Sequence, residues 1–195
     1  MKLKILSLAV IAALALTLSV AGTASGATFA ITGVTQNNAI TVTKSLATGT
    51  SIVISDTSGS FANTCTASHL HGTTQSPYSS SFIFIPLTTV SFSQCSEEPV
   101  VVDTAGSLSV ANISGTRNGT VRSIGMKLTT PSPFGSLTCT TAASPGTDIG
   151  TLTGVSSGNA KLDVNAVLNC GFFLPSAKLT GSYITTSPHA LSVHP

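Results

Sequence analysis

Charge is scarce in this chain. Its 195 residues carry only 8 Lys plus Arg and 6 Asp plus Glu, and Trp is absent. Nucleic-acid binding needs clustered cations that displace condensed counterions. Lys44, Arg117, Arg122, Lys127, Lys161 and Lys178 are instead scattered, so no nucleic-acid partner is expected. Aromatics are few as well: 8 Phe and 2 Tyr, Tyr78 and Tyr183, offer little for a stacking platform. Capped helical periodicity is missing beyond residue 27, which excludes a helical bundle and a βαβ fold. A surface this poor in charge also lacks the usual protection against self-association.

The one long apolar run is at the start. Met1-Lys2-Leu3-Lys4 leads into a 16-residue apolar stretch, Ile5 to Val20, followed by Ala21-Gly22-Thr23-Ala24-Ser25-Gly26-Ala27. A basic region, a hydrophobic region and small residues in that order predict a secretory signal peptide over residues 1–27. Cleavage after Ala27 or after Ala24 satisfies the small-residue rule. A 16-residue helix spans roughly 24 Å against a hydrocarbon core of ~30 Å, so a transmembrane anchor after cleavage is not expected. Loss of Lys2 and Lys4 takes Lys plus Arg from 8 to 6, matching the 6 acidic residues and bringing net charge from +2 to zero.

What is abundant is hydroxyl. From Thr28 to Pro195, 28 residues are Thr and 26 are Ser. They alternate with Val, Ile, Leu and Phe instead of forming Pro-rich stalks, and branched Thr suits a pleated surface. In Ala160 to Cys170, Ala160, Leu162, Val164, Ala166, Leu168 and Cys170 share one face, with Lys161, Asp163, Asn165 and Asn169 on the other. A period of two is the signature of a strand buried on one side. Further strands are expected at 39–43, 51–55, 82–85, 90–93, 100–104, 107–113 and 178–184, with Phe82, Phe84 and Phe92 in the core. Turn sequences such as Asp56-Thr57-Ser58-Gly59 and Ser144-Pro145-Gly146 punctuate them. The fold class is all-β: an antiparallel β-sandwich or barrel, taken as a single β-sandwich domain over 28–195.

Four cysteines fall in this region, Cys65, Cys95, Cys139 and Cys170. Separations of 30 and 31 residues, with Thr64-Cys65-Thr66 echoed by Thr138-Cys139-Thr140 and a Phe upstream of each (Phe61, Phe134), point to an internal duplication. Four cysteines allow three pairings. The spacing favours Cys65–Cys95 and Cys139–Cys170; the alternative is one sandwich with evenly spaced bridges.

Three patterns could carry chemistry, and each has a plainer reading. His69-Leu70-His71 would put two imidazoles on one face of a strand, but no nearby carboxylate completes a metal shell, so no metal site is expected. Gly154-Val155-Ser156-Ser157-Gly158 matches the nucleophile-elbow pattern, with Asp163 and His189 following in order. An elbow needs a strand-to-helix turn, whereas a two-faced strand follows here, so a Ser/Gly hairpin turn is expected. Glu97-Glu98 is the only acidic pair and reads as a solvated loop. Asn112-Ile113-Ser114 and Asn118-Gly119-Thr120 fit the glycosylation acceptor pattern, which is common in a Ser/Thr-rich chain.

The segments Ser132 to Thr141, Asp148 to Gly154, Leu168 to Gly171 and Pro175 to Tyr183 resemble small secreted proteins of soil actinobacteria with no assigned activity. The resemblance includes all four cysteines and implies export and a β fold, with no catalytic residue to carry across. A looser likeness, in size and Ser/Thr/Gly-rich texture, is to the Pseudomonas secreted alkane-oxidation activators, also implicated as biofilm adhesins.

The expectation is therefore a secreted, disulfide-bonded, non-catalytic protein of the cell envelope or extracellular matrix that needs no cofactor. Its candidate partners are a second copy of itself or an envelope polymer. The competing classes are a secreted hydrolase of unrecognised type and a carrier with a pocket between sheets.

Overall fold

The computed structural model describes residues 27–195 apart from 37, 77–81, 134 and 173, so the expected leader up to residue 26, Tyr78 and Phe134 lie outside the described residues. Alternating apolar and hydroxyl residues make fifteen strands: β1 Thr28–Ile31, β2 Val34–Thr35, β3 Thr41–Leu46, β4 Ile52–Asp56, β5 Ala62–Thr73, β6 Phe82–Cys95, β7 Val101–Thr104 and β8 Ser107–Asn112. Then come β9 Gly119–Ile124, β10 Lys127–Ser132, β11 Gly135–Thr140, β12 Thr147–Thr153, β13 Lys161–Asn169, β14 Ser176–Ser187 and β15 Leu191–His194. No helix occurs among the described residues.

The sheet closes, so of sandwich and barrel it is the barrel that forms. Antiparallel ladders run β3–β5–β6–β8–β9–β12–β13–β14 and return from β14 to β3, giving eight strands around. β3 and β4 share one lane. β3 lies between β14 and the Ser45-facing end of β5, while β4 fills the same gap lower down, opposite Ala177–Thr180 and Ala62–Cys65. The extra strands β11, β10 and β7 continue from the lower end of β13, and β7 ends the sheet with β10 as its ladder partner. A separate sheet, β15-β1-β2, adds Phe29, Leu191 and Val193 to the core.

Burial follows the pleat. On β13, Leu162, Val164, Ala166 and Leu168 point inward and Lys161, Asp163, Asn165 and Val167 outward. Each large aliphatic side chain buried this way is worth about 1.5–3 kcal/mol. The polar outer face is the inverse of a membrane barrel, whose lipid-facing band is apolar. β6 breaks phase midway: Ile83 and Ile85 are inward in its first part and Val90 and Phe92 in its second. The ladder to β5 is bulged at His71/Gly72, next to Pro86, which lacks an N–H to donate. The phase break corrects one expectation: Phe82 is 39% exposed and Phe84 half-buried, because Ile83 and Ile85 take the inner face, while Phe92 is core.

Both expected bridges form. Cys65 and Cys95 face each other across β5 and β6, with 3.8 Å between Cα atoms. Cys139 on β11 joins Cys170, just past β13, beside the Thr140–Asn169 pair. Each bridge staples antiparallel neighbours, but β6 is the strand after β5 whereas β12 intervenes between β11 and β13. The similar spacings thus sit in different strand orders.

Candidate functional site

The most unusual group in the molecule is Lys44. On β3 it occupies the inward register between Val42 and Leu46, where the alternation calls for an aliphatic side chain, and it is only 5% exposed. Its Nζ donates to Thr185 Oγ1 over 2.6 Å, and Thr185 is itself fully buried on β14. Burial in an apolar wall brings the ammonium pKa down to about 7, because the charged form loses its hydration. Lys44 faces a cavity of about 20 Å³ whose other walls include Phe29, Leu70, Val110, Leu162 and Leu191, with no second ionisable side chain among them. A second void of about 30 Å³, further along the interior, shares Leu70, Leu87 and Leu108 with the first.

Tyr183 reaches into that second void. Its hydroxyl lies 2.8 Å from Ser68 Oγ, which donates to the Ser91 carbonyl at 2.7 Å, so a short polar chain crosses the core. Burial pushes the Tyr183 pKa up to about 12. Two further hollows open to the outside, each with polar groups in its lining.

One hollow, of about 450 Å³, lies across β9, β12 and β13 on the outer face. Thr120, Arg122, Asp148, Thr151, Asp163 and Asn165 line it. Arg122 Nε donates to Asp148 at 2.6 Å, and Lys161 pairs with Asp163 at 2.8 Å. Hydrogen bonds from Lys161 and Ser182 hold the Asp163 carboxyl below the usual carboxylate range. The floor is bulged at Gly150, where φ is +148° and an added Cβ would lie 1.8 Å from the Asp163 carbonyl oxygen. The other hollow, about 640 Å³, opens between Phe61, Glu97, Glu98 and the Pro131–Pro133 turn. Asn63, fully buried, pins its rim by donating to the Glu98 carbonyl and accepting from the Glu97 N–H, both at 3.2 Å.

The sequence candidates are dispersed. His69 and His71 do share the outer face of β5, where His69 Nδ1 bonds Ser45 Oγ and His71 Nδ1 bonds Thr43 Oγ1, each at 2.9 Å. Among the described residues no three His, Cys, Asp or Glu gather as a metal shell. Gly154 to Gly158 form a strand-to-strand turn between β12 and β13, with Ser156 exposed. Asp163 is engaged by Lys161 and Ser182, and His189 Nδ1 by Asn159 Oδ1 at 2.6 Å. Gly154 is required there by packing: a Cβ would meet the Arg117 carbonyl oxygen at 2.0 Å. Glu97 and Glu98 are exposed on their loop. Asn112 donates to the carbonyls of Thr116, Asn118 and Val193, and Asn118 accepts from the Gly154 N–H, so both acceptor-motif side chains tie loops together.

In the sequence Lys44 is one of six scattered cations, with nothing to single it out by charge. The signal was present in Val42-Thr43-Lys44-Ser45-Leu46: at period two, Lys44 falls on the apolar side.

No family model, curated protein or solved structure matches this chain. The candidate chemistry therefore stands on the geometry alone.

Proposed function

We propose that this is a secreted, non-catalytic binding protein of the cell envelope or extracellular matrix that holds a polymer on the outside of a rigid barrel. The observation that supports this is the contrast between inside and outside. Among the described residues the interior voids, of about 20 and 30 Å³, are far too small for a polymer segment or a drug-sized ligand, whereas the hollow across β9, β12 and β13 is open, about 450 Å³ and lined by donors and acceptors. Its hydroxyl, amide, guanidinium and carboxylate groups sit on hydrogen-bonded strands, so little side-chain or backbone order has to be gained on binding. A hydroxyl-rich, near-neutral polymer suits such a surface. The two disulfides, together with the expected leader, support export.

Co-sedimentation with insoluble peptidoglycan tests the reading. The wild-type protein should pellet with the polymer, and Arg122→Ala combined with Asp163→Ala should abolish this while leaving the barrel folded. Wild-type protein that stays in the supernatant would count against the proposal.

A second reading, self-assembly, is favoured by one observation. β7 ends the sheet, with Val101 55% exposed, and an unpaired strand edge is a template for another chain. Concentration-dependent association that Val101→Lys prevents would support it.

A further inference from the structure

We propose that Lys44 is a covalent capture site for short aliphatic aldehydes, which it binds as an imine inside the barrel. Lys44 is inward on β3, next to a cavity whose remaining lining side chains are apolar, with the Thr185 hydroxyl at 2.6 Å as its polar partner. His69 and His71, on the neighbouring β5, face outward to Ser45 and Thr43, and Lys178 on β14 is exposed. No carboxylate pairs with Lys44 among the described residues, so nothing there holds it as an ammonium ion.

A lysine desolvated by apolar walls is a nucleophile near neutral pH, and its pKa of about 7 is in keeping with that. The amine lone pair attacks the carbonyl carbon, and the C=O electron pair moves to oxygen. The two hydrogens of the amine leave with that oxygen as water while the C=N bond forms. Amine plus aldehyde thus gives imine plus water, with no oxidant or reductant required. Thr185 Oγ1 is placed to pass a proton between nitrogen and oxygen and then to donate to the imine nitrogen. The product is uncharged, which the apolar wall favours over the ammonium ion it replaces.

Size sets the substrate class. A cavity of about 20 Å³ accepts roughly one or two non-hydrogen atoms. Acetaldehyde adds two as its imine. Leu70, Leu87 and Leu108 separate this cavity from the next, so longer alkyl chains meet a wall. Phe29 on β1 and Leu191 on β15 close the cavity from the small sheet.

The test is reductive trapping. The oxidised, folded protein is incubated at neutral pH with acetaldehyde and cyanoborohydride, and ethylated lysines are located by peptide mass mapping. The expected result is ethylation of Lys44 about tenfold or more faster than of Lys127, Lys161 or Lys178, since each unit of pKa depression raises the free-amine fraction about tenfold. Unfolding in denaturant with both bridges reduced should level the four lysines, and Thr185→Val should slow Lys44 alone. Lys44 reacting no faster than the surface lysines in the folded protein would overturn the proposal. So would a preference that survives unfolding.

Discussion

Lys44 Nζ donates to Thr185 Oγ1 across 2.6 Å in the interior of a barrel, and among the described residues no acid shares the contact. This pair ties β3 to β14, the two strands whose ladder closes the sheet. It does so with a group that an apolar core penalises.

The penalty makes folding depend on pH in a calculable direction. The Lys44 pKa is about 7 folded and 10.5 in the reference state, so between those values the unfolded chain binds the extra proton. Stability therefore rises with pH across that window, at up to ~1.4 kcal/mol per pH unit for one proton. Tyr183, raised from 10.0 to about 12, acts in the opposite sense above pH 10. Urea midpoints should increase from pH 7 to pH 9.5 in the wild-type protein and stay nearly level in Lys44→Met. Lys44→Met should also be the more stable protein at pH 6, by about 1–4 kcal/mol, as when buried charges give way to apolar groups of similar size.

The bridges should be nearly equal in value. They close loops spanning 30 and 31 residues. In the chain-entropy model each is worth roughly 3–4 kcal/mol. Replacing either pair by alanine should lower stability by similar amounts in denaturant titrations. Mass mapping of unreduced protein from the medium should find Cys65 with Cys95, Cys139 with Cys170, and the leader gone.

The turn at 154–158 distinguishes packing from catalysis. Gly154→Ala forces a Cβ against the Arg117 carbonyl and should cost about 2 kcal/mol or more. Ser156 is exposed, and Ser156→Ala should change stability by less than about 0.5 kcal/mol. The reverse ranking, or serine-probe labelling lost in Ser156→Ala, would revive the hydrolase reading.

Asp56 governs the acid side. Its carboxylate accepts hydrogen bonds from Ser58, from the Phe61 N–H at 2.9 Å and from Ser60 at 2.7 Å, which hold it well below its usual value of 3.8. A depressed carboxylate stabilises above its unfolded pKa, and the gain is lost as pH falls below it. Asp56→Ala should lower the melting temperature at pH 7, and the gap from wild type should narrow as pH falls below about 4.

Seven of the fifteen strands are legible in the sequence, because a half-buried strand announces itself locally. Lys161 to Asn169 alternates without a helper, and β3, β4, β7, β8 and β14 lie within a few residues of their expected positions. The expected strands leave out β1, β2, β5, β9, β10, β11, β12 and β15; in β5, Ala62–Thr73 mixes His, Asn, Thr and Gly, and its inward set includes Asn63 and Ser68, whose partners Thr130 and Tyr183 come from β10 and β14. The sequence of Phe82–Cys95 suggests two short strands because the inward face switches near Pro86, and the same switch puts Phe82 on the outer side instead of in the core.

Of the candidate chemistry, little could be seen in advance. Period-two hydrophobicity and even cysteine spacing can be read along the chain, so the sequence by itself determined an all-β, doubly cross-linked protein. Tertiary structure alone decided that β14 returns to β3, that the sheet becomes a barrel, and that Lys44 ends inside it. Those outcomes depend on contacts between residues more than a hundred positions apart, where Lys44 meets Thr185, and no local pattern records which distant strand will supply the other half of a core.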